Sequence, residues 1–108
     1  MSAFNVVQAT VRCPVCGNEG GFSIQFKYGN TWQYTYSIGD SLRWGGNDIG
    51  RPGARRVVVE GIGGPCPHCG SDGLEFDVAV NLDRLVAVTP LLEERQTHSS
   101  EGFTVLEQ

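Results

Sequence analysis

The four cysteines of this chain fall in two copies of one pattern, Cys13-Pro-Val-Cys16-Gly17 and Cys66-Pro-His-Cys69-Gly70. Two residues between cysteines let both sulfurs of a pair point at one ion. A glycine after the second cysteine can take the left-handed conformation that turns backbone N–H groups toward the sulfurs. Two such loops supply the tetrahedral Cys₄ set that zinc accepts, with Zn–S near 2.3 Å. With all four positions filled by protein, the metal is structural and no position is left for water or substrate. The competing readings are four buried thiols, two disulfides, or a redox Cys-x-x-Cys pair. The last requires a βαβ setting that the pattern of residues does not offer.

The two loops resemble the knuckles of zinc ribbons and of the rubredoxin-like group. The resemblance covers residues 11–18 and 65–71 and carries over onto Cys13, Cys16, Cys66 and Cys69 as metal ligands and onto Gly17 and Gly70 as turn residues. It implies that each loop ends a β-hairpin and that the two knuckles sit side by side. Iron is the second metal it implies, as in a rubredoxin-like electron carrier, and nucleic-acid binding is a role that zinc ribbons fill. The 49 residues between Cys16 and Cys66 exceed the ribbon spacing of roughly 15 to 20, so the ribbon is grafted onto a larger β-domain.

The rest of the chain reads as strands. Residues 4–12 are rich in β-branched types. Phe22, Ile24, Phe26 and Tyr28 alternate with polar residues, as do Trp32, Tyr34, Tyr36 and Ile38, with Gly29-Asn30 between them. This pattern predicts a hairpin with one aromatic face. Residues 41–44 read as a short strand, and 45–55, with four glycines and a proline, as an exposed, mobile loop. Residues 56–62 read as a strand buried on both faces. Leu74 to Leu82 alternates again, and a turn near Asp83 leads to a strand over 85–89. The expected architecture is mostly β, with antiparallel hairpins forming a small barrel or sandwich and the Cys₄ site at one end. The expected organisation is one domain over residues 1–90, with knuckles at 13–18 and 66–71 and an insert at 22–62. A tail follows over 91–108, in which Pro90 starts a short helix and Phe103, Val105 and Leu106 dock on the domain or on another subunit.

The chain has 108 residues and a formal net charge of −4. That sign opposes a phosphate backbone, whose binding rests on many Lys and Arg contacts, and so disfavours nucleic acid as a partner. The charge is uneven, +2 over residues 1–71 and −6 over 72–108. Self-association or a protein partner is therefore expected, with Arg43, Arg51, Arg55, Arg56 and the knuckle-tip His68 as the interaction surface. Seven of the ten Phe, Trp and Tyr residues lie between Phe22 and Trp44; a small β-domain needs them for its core. Base stacking on an aromatic face would need a positive groove beside it, and over the alternating runs 22–38 Lys27 alone is basic. Glu75 and Asp77 share a strand face and read as its solvated side rather than as an acid/base pair. His98 in the tail has no partner in the pattern, so no catalytic residues are assigned. Residues 1–12 do not read as a signal peptide and no apolar run reaches about 18 residues, so neither a leader nor a membrane span is expected. The expected location is the cytoplasm, where reducing conditions favour metal over disulfides.

Overall fold

The structure is a computed structural model that describes residues 4–46, 48–90 and 103–108. Among these residues there are nine strands and no helix: β1 (Asn5–Arg12), β2 (Glu19–Phe26), β3 (Gly29–Asn30), β4 (Thr35–Ser37), β5 (Asp48–Ile49), β6 (Arg56–Gly63), β7 (Leu74–Asn81), β8 (Arg84–Pro90) and β9 (Phe103–Glu107). Seven of them form one curled sheet in the order β4-β1-β2-β6-β7-β8, with β9 added on β6. All pairings are antiparallel except β1 with β4. The segment after β4 reaches β8 through Gly39 N–H to Leu85 O (2.7 Å), Leu85 N–H to Asp40 O (3.0 Å) and a bridge between Ser41 and Arg84. The sheet is thereby bent into a half-barrel.

The period-two pattern decides which side chains fill that half-barrel. Val7 and Val11 of β1, Phe22, Ile24 and Phe26 of β2, Val57 and Val59 of β6, and Phe76, Val78 and Val80 of β7 are all buried. Alternate residues on one strand point to one face, so each run needs only every second residue to be apolar. Phe22 and Phe76 meet with ring centroids 5.2 Å apart. On β6 the inward positions after Val59 are Gly61 and Gly63; a Cβ on Gly61 would lie 2.6 Å from the Ile24 side chain, so the strand leaves its own place to its neighbour's.

Several expectations are corrected. Residues 22–28 and 32–38 do not pair as a hairpin. β2 is flanked by β1 along its whole length and by β6 at Ile24–Phe26, so neither edge is left for the next segment, which crosses over to lie parallel to β1 as β4. Gly29-Asn30 is accordingly not a hairpin turn but a short strand paired with Asp48–Ile49. Strand β6 is buried on one face only, with Ile62 48% exposed. Asp77 is buried although Glu75 is exposed. The Gly-rich loop 45–55 is exposed over most of its described residues, as expected, but it is tied down at two points: Ala54 is buried, and the Tyr28 hydroxyl donates to Arg51 O (3.0 Å) and accepts from Arg51 N–H (3.3 Å).

The segment at 41–44 contributes a single bridge at Ser41 in place of a strand. The helix expected after Pro90, and His98, lie outside the described residues. No helix among the described residues is long and apolar enough to cross a membrane.

Candidate metal centre

Each cysteine loop closes a hairpin. Residues 13–18 join β1 to β2, and residues 64–73 join β6 to β7. Because β2 and β6 are antiparallel neighbours, with Ile24 opposite Gly63, the two turns fall at the same end of the sheet. The local wiring is the same in both. Cys13 N–H donates to Asn18 O (2.9 Å) and Gly17 N–H to Cys13 O (3.0 Å). Cys66 N–H donates to Ser71 O (2.8 Å) and Gly70 N–H to Cys66 O (2.9 Å). Gly17 and Gly70 have φ of 77° and 76°, the left-handed region in which a side chain is strained. In each loop the N–H two residues after the first cysteine points back at its sulfur, Val15 to Cys13 and His68 to Cys66, both at 3.4 Å.

The four sulfurs converge. Cys13 Sγ lies 3.8 Å from Cys69 Sγ and Cys16 Sγ lies 3.7 Å from Cys66 Sγ. All four Sγ atoms fall within 4.8 Å of one another. A tetrahedron with about 2.3 Å from centre to sulfur has an edge of about 3.8 Å, so the cross-loop pairs already stand at the separation that a tetrahedral metal requires. The same distances exclude bonded disulfides, whose sulfurs lie about 2.05 Å apart. Cys13 and Cys66 are buried, Cys16 is half-buried and Cys69 is exposed.

Proton affinity is spread unevenly over the set. The Ser71 hydroxyl, 3.3 Å from Cys69 Sγ, and then the Ser71 backbone N–H pull Cys69 down to about 6. The Cys69 backbone N–H, helped by that of His68, lowers Cys66 against the effect of burial. At Cys16 the Asn18 N–H favours the thiolate, but burial and the three neighbouring thiols outweigh it and push the group up to about 11. A divalent cation at the centre would favour the thiolate at every position, since the thiolate is the form that binds metal.

The second loop is also fastened to the sheet without the sulfurs. His68 Nε2–H donates to Glu19 O at 2.9 Å, and Pro67 packs on Gly20. His68 is thus turned toward β2 and is not a fifth donor. The arginines disperse. The Arg43 guanidinium stacks on the Tyr34 ring, 4.9 Å from its centroid. Arg56 pairs with Glu107 at 3.7 Å, Arg51 hydrogen-bonds Gln108, and Arg55 is exposed just before β6. Arg51 and Arg56 are therefore brought together at the last strand, while Arg43 faces an aromatic ring instead.

Two supporting residues escape a reading by motif. Ser71 tunes Cys69, and its only sequence signal is its place two residues after the second cysteine. Asn5, fully buried, donates through Nδ2 to Tyr28 O and Asn30 O, both at 3.1 Å, and accepts through Oδ1 from Trp32 N–H (3.3 Å) and Tyr34 N–H (3.2 Å). Its signal was legible: a lone polar side chain at the inward register of Val7 and Val11. No family model matches the chain, and no curated protein or solved structure is similar enough to stand as a relative.

Proposed function

We propose that the chain is a non-catalytic zinc-binding β-domain whose metal is structural and whose role is protein–protein interaction, self-association included. The observation that carries the reading is the approach of Cys13 to Cys69 and of Cys16 to Cys66 at 3.8 and 3.7 Å, from loops separated by 49 residues. Four protein sulfurs close the coordination sphere of a tetrahedral ion, so the metal joins two hairpins as a cross-link. A reducing cytoplasm suits four thiolates in this role. The acidic net charge and the engagement of Arg43, Arg51 and Arg56 with other side chains favour a protein over a nucleic-acid partner.

Elemental analysis of protein purified without added metal tests the first half of the reading. One zinc per chain is expected. One iron, with a red colour, would replace it with an electron carrier, and a metal-free folded chain would overturn it. Light scattering and pull-down test the second half. Association with itself or with a protein is expected, whereas a monomer that retains DNA or RNA with a steep salt dependence would overturn it.

A further inference from the structure

The four sulfurs are not equally open to solvent. Cys13 and Cys66 are only 1% and 3% exposed, Cys16 is half-buried, and Cys69 is exposed. A small oxidant arriving from solvent therefore meets Cys69 first. The sulfur beside it belongs to the other loop: Cys13 Sγ stands 3.8 Å away, across 56 residues of chain. An accessible thiolate next to a sheltered second one is the arrangement that diverts oxidation into a disulfide before it runs further. The other two sulfurs repeat the pairing, Cys16 with Cys66 at 3.7 Å.

The second loop also has a hold that does not pass through sulfur. Pro67 lies on Gly20, and His68 Nε2–H donates to Glu19 O. These are the two residues between Cys66 and Cys69, and both rest on the start of β2, directly after the first loop. If Cys69 alone is modified, these contacts and the other three sulfurs still hold the loops together. Cys13 then faces Cys69 without having to search for it.

We infer that Cys69 is an oxidation site for hydrogen peroxide, and that Cys13 resolves it into a cross-loop disulfide that replaces the metal cross-link with a covalent one. The inference rests on the metal reading of the four sulfurs. The Cys69 thiolate attacks one peroxide oxygen: an S–O bond forms, the O–O bond breaks and hydroxide leaves, giving the sulfenic acid. The Cys13 thiolate then attacks Cys69 Sγ: the S–S bond forms, the S–O bond breaks and a second hydroxide leaves. Two electrons pass from the sulfurs to the peroxide, and two protons convert both hydroxides to water. The step closes the 3.8 Å gap to a bond of about 2.05 Å. The two thiolates that remain cannot fill a tetrahedral set, so the ion is released. Small thiols reverse the change by exchange, becoming a disulfide themselves.

The unmodified full-length chain, treated with a single equivalent of hydrogen peroxide, tests it. Free thiols are then alkylated, the chain is cut with trypsin without reductant, and the peptides are read by mass spectrometry. Cys13 and Cys16 lie on the tryptic peptide 13–27, and Cys66 and Cys69 on 57–84. A cross-loop bond joins the two peptides into one species, whereas a bond within a loop leaves them apart, each lighter by two hydrogens. The joined species is expected, with fragmentation placing the first bond at Cys13–Cys69. Zinc read by an indicator dye should be lost in proportion to that bond, and excess dithiothreitol with added zinc should restore both. Bonds within loops, joining through Cys16 and Cys66 alone, Cys69 carried to sulfinic acid without joining, or thiols unchanged in excess peroxide would each overturn the inference. Zinc measured before the oxidant is added separates the failures: a chain that carries none sinks the metal reading, and its peptide map still decides the cross-link.

Discussion

The ring of Pro67 occupies the place where residue 20 would carry a side chain. A Cβ built on Gly20 would lie 2.6 Å from Pro67 Cγ and 3.1 Å from Pro67 Cδ. The second loop therefore lies directly on the start of β2, and His68 bonds Glu19 O beside it. This contact brings Cys66 and Cys69 to Cys13 and Cys16 before any metal bond is considered. Gly20→Val should push the loop away, lowering stability by about 1–3 kcal/mol and weakening zinc retention. Thermal melts and competition with a chromophoric chelator would show both. An unchanged affinity would mean that the metal alone sets the position of the loop.

Removing a ligand should cost more than removing this contact. Structural zinc contributes on the order of 10–16 kcal/mol in small peptides at neutral pH, comparable with the roughly 5–15 kcal/mol that holds a whole domain together. Cys66→Ser, or a strong chelator, should disorder both loops and the adjoining ends of β2 and β6. Hydrogen exchange would register lost protection there first. A metal-free Cys66→Ser protein melting at the original temperature would refute the structural role.

Metal retention should fall as the solution is acidified, because protons compete for the same sulfurs. Near neutral pH, Cys69 at about 6 is mostly ionised, while Cys16 at about 11 still holds its proton and must release it to bind. Ser71→Ala removes the hydroxyl that chiefly lowers Cys69, so zinc release should begin at a higher pH than in the original chain. A release curve followed with a zinc indicator gives both midpoints, and coincident curves would count against the role given to Ser71.

Asn5→Asp should destabilise the fold in a pH-dependent way. The Nδ2 position faces Tyr28 O and Asn30 O, and a buried carboxylate there would meet two acceptors, which raises its pKa. A raised folded-state pKa means that the variant is least impaired below the unfolded value of about 4 and loses stability as pH rises above it. Urea melts at pH 4 and pH 7 should show a larger deficit at pH 7. Equal deficits would show that the site tolerates the charge.

The β7–β8 turn holds a correctable strain. Leu82 and Asp83 both have positive φ, 49° and 64°, as a two-residue turn of this hand demands. Asp83 is anchored, accepting from Gly53 N–H at 2.9 and 3.0 Å, but Leu82 is 67% exposed and carries the steric penalty without burial. Leu82→Asn should therefore raise stability by about 0.5–1 kcal/mol, read as an upward shift in melting temperature.

Much of this protein was written locally. Two residues between cysteines and a glycine after each pair determine the loop whatever surrounds it, because the turn is made by its own backbone bonds. Alternation likewise determined the inward faces of β2 and β7, since each strand has only two sides. Pairing was decided elsewhere. Residues 32–38 carry the same alternating pattern as 22–28, and nothing local distinguishes a hairpin partner from a strand placed beyond β1; β6 claimed the edge of β2, and only the folded sheet could settle that competition. The shared edge of β6, the descent of Pro67 onto Gly20 and the convergence of four sulfurs from distant loops all depend on that arrangement, because contacts across fifty residues follow from which strands lie side by side.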